Sequence, residues 1–282
     1  MSRNKDRTGL GDSTPEVSAP PPQVLQQENS GFSFVVPTEF VELPSQGRYY
    51  PEGHPLHEET TIEIRHMTAK EEDILTSRTL LRQGVALERV INNLIVDKTI
   101  DPTTLLVGDR NAILIAARIS GYGNVYETMI TCPQCVTQNH HAFDLNESTP
   151  HLGDNTDAVD NEDGTYDILL PRLGVTVTIK LLTGHDEKQL FQWEKKTKKQ
   201  GSNAVVTTQL KMFIVGVEGD TSAKNINYLI ENMPSVDSRH LRMVYKLIAP
   251  NIDLTQTFIC NECDYSGDME VPLTADFFWP DR

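Results

Sequence analysis

Residues 131–141 read TCPQCVTQNHH, and the first five carry the reading of the whole chain. Cys132 and Cys135 stand two residues apart around Pro133, which is the spacing of half a metal site. The other half lies far downstream, in residues 260–263, CNEC, where Cys260 and Cys263 repeat the spacing. These four are the only cysteines in 282 residues. Each pair also has the same flanks. YETMI-TCPQC-VTQNHHAFDL and LTQTFI-CNEC-DYSGDMEVPL both read as strand, tight turn, strand. Such a turn aims two thiolates and several backbone N–H groups at one point. Two facing turns give four sulfur ligands in a tetrahedron, the preferred arrangement of a closed structural zinc site. The metal ligands expected are therefore Cys132, Cys135, Cys260 and Cys263, and the cofactor is Zn²⁺ with no coordination position left for water. A [2Fe–2S] centre and redox-active CxxC pairs are the competing chemistries for the same residues. His140 and His141 follow closely but are not needed as ligands, and read as an exposed loop pair.

The pairs are about 125 residues apart, much wider than in a simple zinc finger. The pattern is that of a zinc ribbon split by an insertion. Residues 132–145 and 253–275 form its halves. Residues 146–164 form an acidic loop, and residues 165–252 an inserted domain of one hairpin and several helices. Residues 139–167 hold eight acidic residues and no Lys or Arg. A calcium-binding loop does not fit there, because Gly164 would place Val159 at the first ligand position. The hairpin is expected around 165–170 and 175–182, in TYDILLPRLGVTVTIKLLTG, followed by helices at HDEKQLFQWEKKTKKQ, near 203–215, at SAKNINYLIENM and at SVDSRHLRMVYKLI.

Upstream, residues 1–30 are polar, with three prolines at 20–22, and read as a disordered or extended arm. Residues 31–131 form an N-terminal α+β region. FSFVV, FVEL and TTIEIRHM have strand character. Thr68-Ala-Lys-Glu71 has the form of a capping box and opens a helix expected to run to Gly84. A second helix is expected in VALERVINNLIVDK. A third, RNAILIAARIS, is expected to take Asp109 as its cap. The aromatic tail at 276–282, which ends FFWPDR, is expected to dock on the chain's own core or on a subunit. The fold class is thus α+β.

Composition narrows the function. The net charge is −15, which argues against nucleic acid as the main partner, since phosphate binding needs cations. The lysines at 195, 196, 198 and 199 form a local basic helix end, as the helix dipole favours. No apolar run approaches the roughly 20 residues that span a bilayer, so no membrane partner is expected. Residues 1–23 have no apolar segment of the secretory kind. A reducing compartment is the expected site of synthesis, and disulfides are disfavoured there. The sequence carries no GxxxxGK[ST], HExxH, GxSxG or GxGxxG motif. In TGHDEK, Asp186 is explained by a helix N-terminus rather than by chemistry.

Two longer stretches carry a family resemblance. LPSQGRYYPEGHPLHEETTIEIRHMTAKEEDILTSRTLLRQG and LLVGDRNAILIAARISGYGNVYETMITCPQC resemble the baseplate hub and baseplate assembly proteins of contractile-tailed phages, a family that includes the T-even-type hub subunit. LLPRLGVTVTIKLLTGHDEK is similar to a strand-rich segment of these proteins. The resemblance covers roughly residues 40–190 and the terminal CNEC ribbon. The arm before residue 31 and the acidic stretch at 150–163 depart from it. It implies a non-enzymatic structural or assembly role in the virion tail baseplate, with synthesis in the host cytoplasm. The implied partners are other baseplate and tail proteins, and copies of itself in a symmetric hub. A nucleic-acid-binding zinc-ribbon protein is the alternative.

Overall fold

In a computed structural model of the chain, the structure describes residues 25–26, 35–154, 158–199, 205–272 and 275–278. Most of the arm expected over residues 1–30, and the last four residues of the aromatic tail, lie outside these. The fold is α+β, with eight α-helices and several small antiparallel sheets among the described residues. The helices are α1 (Ala69–Thr76), α2 (Arg78–Gln83), α3 (Ala86–Leu94), α4 (Val107–Tyr122), α5 (Gly184–Lys199), α6 (Val205–Phe213), α7 (Ala223–Asn232) and α8 (Ser235–Ile248). One connected apolar core reaches from Val41 to Phe278.

Helix α4 is the spine. Ile113, Leu114, Ile115 and Ala117 are all buried. Each large side chain there contributes on the order of 2 kcal/mol through removal from water. The helix begins two residues before the expected cap. Asp109 lies inside the first turn, fully buried. Its carboxylate accepts hydrogen bonds from the Ser45 amide (3.0 Å), the Ser45 hydroxyl (2.6 Å) and the Tyr50 hydroxyl (2.7 Å). Tyr50 Oη in turn accepts from the Leu106 amide at 3.1 Å. The residue read as a cap therefore clamps the SQGRYY loop to the spine. Periodicity reports nothing about a partner 64 positions away. Burial pushes the Asp109 carboxyl upward, against the pull of its three donors.

Upstream, strands Thr38–Glu42 and Thr61–Arg65 pair antiparallel and bury Val41, Ile62 and Ile64. The helix expected from Thr68 to Gly84 is two helices. It breaks at Ser77, whose ψ of 102° is extended, and Ser77 Oγ accepts from the Leu80 amide at the start of α2. Gly84 ends α2 with φ +74°, as expected, and the Phe191 ring of α5 lies where a side chain would project. Glu71 does reach back to Thr68, accepting from its amide (3.0 Å) and its hydroxyl (2.7 Å). It also accepts from Arg65 at 2.7 Å and from Asn93 at 3.1 Å.

The expected hairpin is present as Thr165–Leu169 paired with Thr176–Lys180. It sits inside a four-stranded antiparallel sheet. Ala158–Asp160 adds one edge and Ile214–Val217 the other. Residues 214–217 therefore belong to a strand rather than to the helix expected near 203–215, which stops at Phe213. IVGV is β-branched, and the missing side chain of Gly216 accommodates Thr178. Within the acid-rich stretch, Thr149–His151 pairs with Asn251–Asp253. Asp186 accepts from the Thr183 amide and from Lys180, as a helix start predicts. No helix among the described residues is long and apolar enough to cross a membrane.

Three contacts bring the two cysteine segments to the same place. Gly108 of α4 lies against the Pro250 carbonyl, an approach any Cβ would block. Asn111 Nδ2 donates to Asn251 Oδ1 at 3.0 Å. Arg118, fully buried, donates to the carbonyls of Gly123 (2.7 Å), Val125 (3.2 Å) and Phe277 (2.8 Å). Phe277 and Phe278 are buried in the chain's own core, with Phe277 edge-on to Tyr126 at 5.1 Å. They are thereby removed as a subunit-docking surface.

Burial would raise the Glu71 pKa, but the hydrogen bonds from Arg65 and Thr68 outweigh it and hold the group at about 2, against an ordinary 4.5. A depressed carboxylate stabilises the fold above its unfolded pKa and ceases to do so as pH falls through the folded one. Stability should therefore fall between pH 4.5 and about 2. Glu71→Gln is expected to cost about 2 kcal/mol near neutrality and to flatten this acid limb. Urea denaturation as a function of pH checks it, and parallel acid limbs for the two proteins would refute the assignment.

Candidate metal centre

Strands Val125–Thr131 and Gln138–Asp144 pair antiparallel and leave TCPQC at their tip. Strands Thr255–Ile259 and Ser266–Glu270 do the same around CNEC. The two turns are built alike. The Cys132 amide donates to the Thr137 carbonyl at 2.9 Å, and the Cys260 amide to the Tyr265 carbonyl at 2.8 Å. The residue after each second cysteine, Val136 and Asp264, has a positive φ, 59° and 55°. A β-branched valine is strained there, which marks the turn geometry as imposed from outside the residue.

The two tips meet. All four sulfur atoms lie within 4.8 Å of one another. Cys132 Sγ is 3.7 Å from Cys263 Sγ, and Cys135 Sγ is 3.7 Å from Cys260 Sγ. A disulfide would require about 2.05 Å. A tetrahedron of sulfurs about 2.3 Å from a central ion has edges of about 3.8 Å. The donor set and its spacing thus fit a metal ion held by four thiolates. Cys132 and Cys260 are buried, and Cys135 and Cys263 half-buried. Taken without a cation, the cluster is electrostatically uneven. The hydroxyl and amide of Thr137 lower the Cys135 thiol to about 6. The Tyr265 amide pulls Cys263 down, but burial and the other three sulfurs push it up to about 12. A cation held by the four sulfurs would remove that unevenness by stabilising all four thiolates.

The residues around the sulfurs bind one half to the other. Asn139 is buried; its Nδ2 donates to Cys260 Sγ (3.5 Å) and to the Thr137 carbonyl (3.1 Å). Its Oδ1 accepts from the Asn261 amide at 3.0 Å. Gln256 replaces a missing ladder between the hairpins, donating to the Asp144 carbonyl (2.7 Å) and accepting from the Asp144 amide (3.1 Å). Below the sulfurs, Ile130, Phe143 and Phe258 are buried. His140 and His141 are strand residues rather than a loop pair, and neither joins the sulfur cluster. His140 is exposed, near Glu127, while His141 lies edge-on to Phe143 and Phe258 at 4.6 and 5.3 Å.

Sequence reasoning named the four cysteines and missed Asn139 and Gln256. Ligand spacing constrains the thiolates alone. A residue that bonds a thiolate from the opposite hairpin has no fixed offset, so only the assembled pair reveals it. Asn139→Leu keeps the volume and removes all three polar contacts. It is expected to weaken metal binding by roughly 10- to 100-fold, read by competition with a chromophoric chelator. Equal affinity in the two proteins would show Asn139 to be packing only.

Compared with known proteins, residues 36–279 match the family model described as T4 bacteriophage base plate protein. No curated protein and no solved structure matches the chain. The match spans both strands of each cysteine hairpin and all eight helices, so the chain belongs to the T4 bacteriophage base plate protein family.

Proposed function

We propose that the chain is a non-enzymatic structural or assembly component of the baseplate hub of a contractile-tailed phage, stabilised by zinc and acting through protein–protein docking. The observation that carries this reading is the meeting of two similarly built CxxC turns, 125 positions apart, inside a baseplate-family chain. Zn²⁺ would be held by Cys132, Cys135, Cys260 and Cys263. Four protein ligands leave no open position, so the ion holds structure and activates no water. Residues 132–145 and 253–275 are the halves of the ribbon in this reading, and residues 165–252 the domain inserted between them. Closing so long a loop through one ion offsets a large chain entropy and sets the inserted helices against α4.

Docking is supported by what the fold leaves outside. Phe40, Tyr228 of α7, and both Val236 and Met243 of α8 are more than half exposed. The partners proposed are other baseplate and tail proteins, together with further copies of this chain in a symmetric hub, in the virion tail. The net charge of −15 disfavours a nucleic-acid role.

Metal analysis of the purified protein should give one zinc per chain. Cys263→Ser should lose most of it, lower the melting temperature by roughly 10 °C, and fail to enter baseplates when particles are analysed by quantitative mass spectrometry. Unchanged melting and normal incorporation would remove zinc from the proposal. Absence of the wild-type chain from both finished particles and assembly intermediates would remove the baseplate role.

A further inference from the structure

Helix α8 buries Leu241, Val244 and Ile248, and its only acid, Asp237, is turned inward to accept from the Arg172 and Leu173 amides at 2.8 and 3.1 Å. Its outer face is the reverse of the protein as a whole. Val236, Arg239, Arg242, Met243, Lys246 and Leu247 are exposed there, with no acid among them. In a chain with 40 acidic and 25 basic residues, such a stripe needs a reason. A cavity of about 630 Å³ runs along it, with residues 251–255 as the opposite wall.

The charges facing this cavity are few. Lys246 pairs with Glu270 at 3.5 Å, in an exposed and weak contact. Asp253 accepts from the Thr255 amide at 2.9 Å, and His151 Nε2 is 2.7 Å from the Leu247 carbonyl. Arg242 Nε donates to the Ser238 carbonyl at 3.3 Å. Among the described residues, neither Arg239 nor Arg242 has a carboxylate within ion-pair distance.

We propose that this groove docks an acidic segment of another tail protein, one that carries two carboxylates and an adjoining apolar side chain. The inference rests on the docking role proposed above and is independent of zinc. Arg239 and Arg242 are three residues apart, so their guanidinium groups lie side by side on the helix and match two carboxylates on one segment. Met243 and Leu247 are four apart and form the apolar strip beside them, with methionine adapting to the side chain it receives. Asp253 and Glu270 in the same cavity, and the net charge of the chain, select against a continuous polyanion. A duplex or an anionic bilayer would bring negative charge onto those two acids as well. A discrete segment places its carboxylates only opposite the arginines.

The test uses the full chain and four probes in fluorescence binding: a short labelled peptide of Glu, Leu and Ala with paired carboxylates, its Lys counterpart, a short DNA duplex, and phosphatidylserine vesicles. The acidic peptide should bind wild type best, and less tightly as salt rises. Arg239→Glu with Arg242→Glu should weaken it about tenfold or more, leave thermal melting unchanged, and let the Lys peptide bind instead. Met243→Ser should weaken the acidic peptide several-fold. Equal peptide binding by wild type and the double variant, or tighter binding of duplex or vesicles by wild type, would overturn the inference. The double variant is also followed into particles. Normal incorporation alongside unaltered peptide binding overturns the groove and leaves the docking role standing, whereas a wild-type chain that never enters baseplates or their precursors overturns the docking role itself.

Discussion

Two CxxC turns meet so that four sulfur atoms lie within 4.8 Å of one another, and this meeting organises the chain. With only protein groups around them, hydrogen bonds from Thr137 draw the Cys135 thiol down, while burial and the neighbouring sulfurs push Cys263 up. Everything between the two cysteine pairs must leave the first hairpin and return to the second in register with it. Gln256 and Asn139 hold that register by bonding one hairpin to the other. The strained φ of Val136 belongs to the same requirement, since the turn must present sulfur and amides to one point.

The second support is α4. It carries on one element the contacts that place both halves of the cysteine cluster. Gly108 and Asn111 meet residues 250–251, just before the second hairpin, and Arg118 holds the start of the first. Arg118 is satisfied by three carbonyls rather than by a carboxylate. Its guanidinium fork therefore fixes backbone positions, which suits a part whose task is geometry. Asp109 does the same in the opposite direction, collecting donors from Ser45 and Tyr50 so that the N-terminal loop is tied to the first turn of the helix.

Surface chemistry then separates into two kinds. Of the tail expected to dock on the chain's own core or on a subunit, Phe277 and Phe278 join the core, where Phe277 completes the packing over Tyr126 and supplies a carbonyl to Arg118. Among the faces left open is that of α8, where apolar and basic residues alternate around a helix whose inner side is well buried. A protein that works by being held among neighbours needs a rigid frame and few such faces. In the docking role proposed above, the cysteine cluster and α4 would serve the first need, and the outer stripe of α8 the second.

What the sequence alone determined is what depends on short-range spacing. The two CxxC pairs with their flanking strands, the reach of Glu71 back to Thr68, the turn of Gly84 and the hairpin after residue 164 are each set by residues within a few positions of one another. The tertiary structure alone decided the rest. It broke the helix at Ser77, drew residues 214–217 into a sheet edge, buried Asp109 as a clamp, and set Asn139 against a cysteine 121 positions away. These outcomes share one cause. A polar group in the core must find a partner wherever the fold supplies one, and an apolar segment takes the secondary structure that buries it best. Neither choice is written in the local pattern, because the energy that makes it comes from residues far along the chain.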